Sequence, residues 1–243
     1  MKYVWKQFKE SEGFFYFPKP WIIDNGQPGQ WSTLKSSARA ILPVIMRFAG
    51  NAGQCNPSEE TMSALTGCDL KTVRKGIGNL VDMGYMKVEK RFNTKGHRYN
   101  VYYEIPKWDY EAGKVFLFYN SVIEGGNWQE LPSVAQGVYS VLKGISHYTF
   151  EDYQADEDNF ESTMAYSEFY KDRKFDIYEY DAETLALFAG VHRTSIKNAC
   201  ECLHRTGLVT ITDECRDEYR LIHVLKKPCR HYTREYLNNK NNG

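Results

Sequence analysis

The sequence predicts an α+β fold made of two copies of one unit, each with a three-helix core, a β-hairpin after it and an extra strand before it. Three observations support this prediction. Apolar residues recur at helical spacing in three successive segments before residue 84, and β-rich segments separated by a turn follow them up to Glu104. After Glu104 the same pattern of apolar, basic and glycine residues starts again, which indicates an internal repeat. With 243 residues, the chain is long enough for two ordinary domains.

The first predicted elements are an aromatic strand and a helix. Residues 13–17 read GFFYF and are followed closely by two prolines, which suits a strand that ends there. From Leu34 to Phe48 the apolar residues recur at helical spacing. Pro43 has no backbone N–H to donate, so we expect it to kink this helix or to mark its start.

The next stretch carries the clearest local signals for helix ends. Ser58 is a suitable cap for a helix at 59–66 that stops at Gly67. Asp69 opens a second helix that stops at Gly84. The apolar residues of this second helix recur at helical spacing, namely Leu70, Val73, Ile77, Leu80 and Val81.

A β-hairpin is predicted directly after the second helix. Its strands are Tyr85 to Phe92 and His97 to Glu104, and they flank a four-residue turn that ends in Gly96. The order helix, turn, helix, hairpin is that of a winged helix-turn-helix.

The internal repeat is visible at two constant offsets along the chain. At an offset of 97, the residues that recur are Trp31, Leu34 and Ala38, as Trp128, Leu131 and Ala135. At an offset of 123, they are Glu60, Thr61, Gly67, Leu80 and Gly84, as Glu183, Thr184, Gly190, Leu203 and Gly207. The difference, 123 − 97 = 26 residues, is an insertion in the second copy. The alternative is that unrelated helical segments share a common glycine-stop pattern.

The repeat divides the chain into two predicted domains and a tail. The first domain covers residues 1–110 and the second 111–226, and the basic tail at 227–243 is expected to be disordered. An acidic and aromatic insertion at about 149–180 interrupts the second domain. It fits a solvated loop with a short helix at 164–170, or a segment that docks a partner or mimics DNA.

Composition and charge restrict the classes of function. The chain holds 31 basic and 31 acidic residues, but residues 1–124 carry 17 and 12 (+5) whereas residues 125–243 carry 14 and 19 (−5). It has no run of about eighteen apolar residues and no apolar signal-peptide region, so we expect a cytoplasmic protein without membrane contact. Six cysteines without a CxxC pair favour reduced thiols.

The basic residues of the first copy gather on its second helix and on its hairpin. The N-terminal part of a helix in the major groove contacts base edges, whereas cations on a hairpin suit phosphate. The predicted DNA-binding residues are Lys71, Thr72, Arg74 and Lys75 on the helix, and Lys90, Arg91, Lys95 and Arg98 on the hairpin. The alternative is an ordinary solvated helix surface.

The second copy carries a weaker version of this surface. Its predicted DNA-binding residues are Arg193, Thr194, Ser195 and Lys197. His192 replaces the capping Asp69, and histidine is not a preferred helix cap. Four acids near the turn of its hairpin, at 210–224, would repel phosphate. The second copy therefore either contacts DNA through its helix alone or binds protein.

Two segments resemble the sequence pattern of bacterial winged helix-turn-helix domains. They are GCDLKTVRKGIGNLVDMGYMKV at 67–88 and GVHRTSIKNACECLHRTGLVTI at 190–211. With Asn56-Pro57-Ser58 before it, the first is similar to DNA-binding domains of plasmid and phage replication proteins, and the tandem resembles the layout of plasmid replication initiators. The resemblance implies a sequence-specific double-stranded DNA-binding protein of a plasmid, phage or mobile element. It also implies a role in replication initiation, with the helix at 70–83 in the major groove.

Two alternatives remain for the function. One is a transcriptional regulator of the same fold, and the other is a non-enzymatic assembly or segregation factor that binds proteins. The expected partners are double-stranded DNA, a protein held by the acidic second domain, and a second copy of the chain in a homodimer.

No enzymatic activity and no cofactor are predicted. The chain lacks the HExxH and GxSxG motifs and a phosphate-binding glycine loop. Cys200, Cys202 and His204 form a C-x-C-x-H string, but residues two apart on a helix point to different faces. The acidic cluster at 151–161 lacks the spacing of a calcium loop, so no metal site is predicted.

Overall fold

The computed structural model describes residues 13–108, 114–146, 175–179, 181–216 and 219–225. The predicted helix at 164–170, the greater part of the predicted insertion and the tail at 227–243 lie outside these residues.

The first half contains four helices and five strands in the described residues. A 3₁₀ turn at Gln30–Thr33 precedes the longest helix, and another at Gly50–Ala52 follows it. In chain order the elements are β1 (Phe14–Pro18), α1 (Lys19–Ile22), β2 (Ile23–Asp24), β3 (Gln27–Pro28), α2 (Ser36–Ala49), α3 (Glu59–Thr66), α4 (Leu70–Asp82), β4 (Lys87–Phe92) and β5 (Arg98–Tyr103).

The second half repeats the order of the larger elements. In its described residues they are β6 (Val115–Tyr119), α5 (Asn120–Glu124), α6 (Asn127–Glu130), α7 (Ser133–Ile145), β7 (Phe175–Glu179), α8 (Ala182–Ala189), α9 (Thr194–Arg205), β8 (Val209–Arg216) and β9 (Tyr219–Leu225). A mixed α+β fold with helices followed by hairpins is therefore present, as predicted.

Local capping explains why α3 lies where the sequence predicts it. The Ser58 hydroxyl accepts the backbone N–H of Thr61, which satisfies one of the free donors at the start of the helix. Gly67 ends the helix in the left-handed conformation, with φ of 71°.

The structure excludes one of two alternatives for Pro43 and corrects the predicted start of a strand. Pro43 lies inside α2, which begins at Ser36, so the proline does not mark the start of the helix, and a kink is the alternative that remains. Strand β4 begins at Lys87 rather than at Tyr85, because the Tyr85 N–H donates to the Leu80 carbonyl of the preceding helix. Tyr85 and Met86 are buried in the core.

In each half, a segment that precedes two helices (α3 and α4, or α8 and α9) pairs with the last strand of the hairpin, which gives a three-stranded arrangement. In the first half Cys55 forms an isolated bridge with Tyr102 of β5, and in the second β7 pairs with β9. Residues 175–179 were predicted to belong to the insertion and instead form this strand. The segment FDIYE shares the acidic and aromatic composition by which the insertion was delimited, so composition alone did not separate them.

The two N-terminal strands pair with each other across the halves. β1 and β6 form an antiparallel sheet in which Tyr16 faces Leu117 at the centre. Phe17 of β1 packs its ring against those of Phe116 and Phe118, with centroids 5.1 and 5.8 Å apart. An antiparallel pair has a local twofold axis, so this sheet relates the two halves by rotation.

Two tryptophans make reciprocal hydrogen bonds between the halves. Trp31 lies just before α2 and bonds to α7, and Trp128 lies in α6, before α7, and bonds to α2. Trp31 Nε1 donates to the Gly137 carbonyl (3.3 Å), and Trp128 Nε1 donates to the Ala40 carbonyl (2.9 Å). Trp128 and Gly137 stand 97 residues after Trp31 and Ala40, so the two bonds are equivalent. Both indoles are fully buried, where an indole N–H needs a partner.

The helices α3 and α8 each end against the other half. A methyl group at Gly67 would lie 2.3 Å from the Gln129 carbonyl oxygen, and one at Gly190 would lie 1.7 Å from that of Ser32. Both glycines also have a positive φ, 71° and 57°. Glycine is therefore required here for backbone conformation and for the close approach of the two halves.

Two long polar side chains complete this reciprocal arrangement. Arg39 Nη2 donates to the Gly190 carbonyl (3.2 Å), and Gln136 Nε2 donates to the Thr66 carbonyl (2.9 Å). Arg39 and Gln136 occupy equivalent positions at the offset of 97. Each side chain satisfies a carbonyl at the C-terminal end of a helix in the other half.

The core follows from these contacts. One contiguous cluster of buried hydrophobic residues runs through both halves and includes Trp31, Trp128 and Tyr139. None of the helices in the described parts of the chain is both long and apolar enough to cross a membrane.

Candidate nucleic-acid interface

The N-terminus of α4 is fixed by its cap. Asp69 Oδ1 accepts the backbone N–H of Thr72 at 2.7 Å. This hydrogen bond, together with the Thr72 hydroxyl, holds the pKa of the Asp69 carboxyl below its usual value. The cap therefore stays ionised at neutral pH and complements the positive end of the helix dipole.

The outward face of α4 brings together the residues that the sequence predicts. Val73, Ile77 and Leu80 are buried, which turns the opposite face to solvent. Three cations are exposed on that face and Thr72 lies half-buried at its edge; the cations are Lys71, Arg74 and Lys75. They occupy the first two turns of the helix, where side chains of a groove-bound helix reach base edges.

Arg74 has a partner that the sequence did not indicate. Its Nε donates to Glu59 Oε2 of α3 at 2.7 Å, with the two side chains 63% and 23% exposed. Within the described ranges only Nε is hydrogen-bonded, which leaves the two terminal nitrogens available to donate. The pair is 15 residues apart on two helices, and no spacing rule within one helix could have predicted it.

The hairpin carries the remaining predicted residues of the first half. Lys90, Arg91, Lys95 and Arg98 are all exposed. Arg91 is paired with Glu89 at 2.6 Å, which lowers the local positive charge on that face of the strand.

A groove of about 430 Å³ lies between the hairpin and the start of α3. Lys90 and Arg98 line it from the hairpin, and Glu59 and Glu60 line it from the helix. Hydrogen bonds from its own backbone N–H and from Ser58 lower the pKa of Glu60, so this acid is charged at neutral pH. Glu59, the partner of Arg74, thus lines the same groove as the hairpin cations Lys90 and Arg98.

The second half places its predicted residues on an equivalent but weaker surface. Arg193, Thr194 and Lys197 are exposed and Ser195 is half-buried. Arg193 is paired with Glu183 at 2.6 Å. The ring of His192 stands where Asp69 caps α4, and its Nδ1 is 3.4 Å from the Thr194 N–H, a longer contact than that of the aspartate.

Helices α2 and α4 are joined by a side-chain contact in the first half, whereas a groove lies between the equivalent helices α7 and α9 in the second. Asn79 of α4 accepts the Lys35 backbone N–H at 2.8 Å, whereas the equivalent residues, Cys202 and Pro132, lack the amide and the N–H. Between α7 and α9 an apolar groove of about 350 Å³ lies where this contact is missing.

The cysteines and histidines of the described residues do not form a metal-binding group. In the C-x-C-x-H string, burial raises the pKa of the Cys200 thiol to about 12, and His204 Nδ1 lies 3.3 Å from the Val209 carbonyl oxygen. Cys55, Cys68, Cys200 and Cys202 are free thiols.

Comparison with known proteins identifies one region of the chain. Residues 32–86 match the family model of a helix-turn-helix domain, and this range includes α2, α3 and α4. No curated protein matches the chain. Residues 32–86 thus constitute a helix-turn-helix domain, which indicates sequence-specific binding of double-stranded DNA.

Proposed function

We propose that the protein reads double-stranded DNA with α4 in the major groove and its first hairpin on the adjacent backbone. The exposed cations on the first two turns of α4, opposite the buried Val73, Ile77 and Leu80, carry this proposal. Arg74 presents two terminal nitrogens that suit guanine O6 and N7, and Lys71 and Lys75 suit phosphate.

The biological process that we propose is replication initiation of a plasmid, phage or other mobile element. Its support is the resemblance of residues 67–88 to DNA-binding domains of such replication proteins. A transcriptional regulator would use the same surface, and the location of the bound site relative to an origin or a promoter distinguishes the two.

For the second half we propose a second winged helix-turn-helix unit that adds weaker contacts to DNA. The support is the recurring order of strand, helices and hairpin, together with the reciprocal Trp31 and Trp128 hydrogen bonds. The outward face of α9 carries Lys197 and Arg205 but also Glu201, so it suits phosphate contact better than base readout.

The experiment is selection of bound duplexes from a random library with the full chain, followed by titration at two salt concentrations. K71A/R74A should abolish the preference for the selected duplex, because one bidentate arginine contact discriminates by about 1–3 kcal/mol. K197A/R205A removes the same charge from the outward face of α9. It should weaken binding to all duplexes alike and reduce the salt dependence.

Three outcomes would contradict parts of this proposal. Failure of the unmodified protein to bind any duplex at low salt would overturn DNA binding. A preference that survives in K71A/R74A would overturn α4 as the reading helix. Unchanged binding by K197A/R205A would favour the alternative in which the second half binds protein.

A further inference from the structure

The tip of the first hairpin carries an exposed phenylalanine. Phe92, the last residue of β4, is 68% exposed, more than any other large hydrophobic residue in the described ranges. In the described parts of the chain its ring packs against no other aromatic ring, unlike that of Phe14, which contacts Tyr16 and Tyr119. The fold gains no core packing from Phe92, so its ring is free to contact a partner, and the charges around it bear on which partner that is.

The charges around Phe92 specify an anionic partner. From Lys87 to Glu104 the hairpin holds five Lys/Arg (87, 90, 91, 95 and 98) and two acids (89 and 104), a difference of +3. The acids pair with Arg91 and Lys87, so the cations outside these ion pairs are Lys90, Lys95 and Arg98 among the described residues. Arg98 is the cross-strand neighbour of Phe92, and Lys90 lies two residues before it on the same face. An apolar protein surface would have to accept these cations without a counter-charge, whereas DNA supplies phosphates on both sides of a groove.

The turn that supports Phe92 is held in one conformation. The Asn93 side chain accepts the backbone N–H groups of Lys95 and His97, both at 2.9 Å. The Asn93 N–H donates to the His97 carbonyl at 2.9 Å, and Gly96 takes a φ of 77° that favours glycine. The tip is therefore ordered before it meets a partner, which lowers the entropy lost on binding.

From these features we infer that Phe92 is a wedge that enters the minor groove, unstacks one base step and bends the DNA. Proteins that bend DNA from the minor groove insert an apolar side chain between base pairs and flank it with Arg or Lys, and the kinks reach roughly 20–90°. The inference rests on the proposed DNA binding, and it adds deformation of the duplex to recognition of its sequence.

The test compares a straight 30-base-pair duplex, about the length of a small binding site, with the same duplex carrying a central two-nucleotide bulge. A bulge has already lost stacking, so a wedge should prefer it. We expect the full chain to bind the bulged duplex several-fold more tightly than the straight one. We also expect it to raise the energy-transfer efficiency between dyes at the two ends of the straight duplex, because a bend brings them closer. F92A should lose both effects. Its affinity for the straight duplex should stay within about tenfold of that of the unmodified protein, because the free energy gained by burying the ring offsets the cost of unstacking the bases.

Two control variants separate the wedge from other roles. F14A makes the same substitution at the half-exposed Phe14 of β1 and should retain the bulge preference and the bend. F92L keeps an apolar wedge and should restore most of both effects. Circular dichroism establishes that each variant is folded.

The outcomes are distinct from those for DNA binding itself. Bulge preference and bending that persist in F92A would overturn the wedge and leave the proposed function intact. An equal loss of affinity for both duplexes in F92A would also overturn it, because Phe92 would then be a general contact. No binding by the unmodified chain would overturn both proposals.

Discussion

At the scale of single residues, Glu59 determines how Arg74 is presented. The ion pair uses Nε of the guanidinium, which fixes the plane of the group and leaves its outer edge free. A rigid arginine loses less side-chain entropy on contact with guanine than a free one. In the proposed DNA complex the same carboxylate repels phosphates, so Glu59 lowers the general affinity for DNA and favours selectivity.

We expect E59Q to bind random duplex DNA about 2–5-fold more tightly, because one anion leaves the interface. Its ratio of specific to non-specific affinity should fall by up to about tenfold, because a neutral amide holds the Arg74 guanidinium less firmly than a carboxylate does. Fluorescence anisotropy with the selected and a scrambled duplex measures both. The matched control is E60Q, which removes an equal charge from the same turn without touching the Arg74 hydrogen bond. Equal ratios in the two variants would contradict the role of Glu59.

A second residue, Arg39, is a buried charge at the junction of the halves. It is 2% exposed, and its Nε and Nη1 have no hydrogen-bond partner among the residues that the structure describes. Burial lowers its pKa to about 10, because desolvation disfavours the charged form. The equivalent residue, Gln136, makes the same type of carbonyl contact without a charge.

R39Q should therefore raise the free energy of unfolding by about 1–2 kcal/mol, since it keeps a donor for the Gly190 carbonyl and removes the desolvated charge. R39M fills the same space without a donor and should be about 1 kcal/mol less stable than R39Q. Urea denaturation at pH 7 measures the three proteins. Destabilisation by R39Q would show that the Arg39 charge is compensated in the folded state.

The sequence predicted the exposed cations of α4 but neither of these partners. Lys71, Arg74 and Lys75 follow from the helical period, which is a local property. The contact of Arg74 with Glu59 and that of Arg39 with Gly190 join residues 15 and 151 positions apart. Such contacts depend on how helices pack, and periodicity carries no information about them.

At the scale of elements, two glycines in α4 have opposite roles. A methyl group at Gly76 would lie 2.4 Å from Ile41 Cδ1 and 2.7 Å from the Ser37 carbonyl oxygen of α2. At Gly78 nothing lies within 4 Å. Gly76 therefore allows α2 and α4 to approach closely, and Ala199 at the equivalent position accompanies the open groove of the second half.

G76A and G78A form a matched pair of substitutions in one helix. G78A should stabilise the protein by about 1 kcal/mol, because alanine favours the helix over glycine. G76A gains the same propensity but overpacks the α2 contact, so we expect a net loss of about 1–2 kcal/mol. Thermal unfolding followed by circular dichroism compares them. Stabilisation of similar size in both would show that α2 moves away at little cost.

The elements themselves were largely predictable where their ends have chemical markers. The ends of α3 and the start of α4 are set by Ser58, Gly67 and Asp69, whose residue types are common helix caps and are visible in the sequence. Strand β7 was missed because this edge strand has the same acidic and aromatic composition as the predicted loop before it. Pro43 left two alternatives open, a kink or a helix start, because its missing N–H suits either, and the structure places it inside α2.

At the scale of the whole molecule, the two halves share one hydrophobic core. The cluster of buried residues is continuous from Phe17 to Val224, and Gly67 and Gly190 each contact the opposite half. The constant offsets in the sequence indicated the repeat but not how the two halves pack against each other. Such offsets show which residues recur, and they carry no information about the contacts those residues make.

We expect the chain to unfold in a single cooperative transition despite its repeat. L185A, at a fully buried position in α8, should cost about 2–5 kcal/mol and lower hydrogen-exchange protection of α4 as much as that of α9. L187A makes the same change on the same helix at a side chain that is 60% exposed, and should stay within about 0.5 kcal/mol of the unmodified protein. Two separate calorimetric transitions would contradict a shared core.

The pairing of β1 with β6 has a consequence for synthesis on the ribosome. Residues 14–18 find their partner only after residues 115–119 have been made, roughly 5–20 s later at ordinary elongation rates. Until then the aromatic strand has an open edge, and the nascent first half lacks Trp128 and Gln129 to cover Ala40 and Gly67. The helix-turn-helix domain thus leaves the ribosome before the contacts that complete it exist, so we expect the first half to finish folding only after the second has been made.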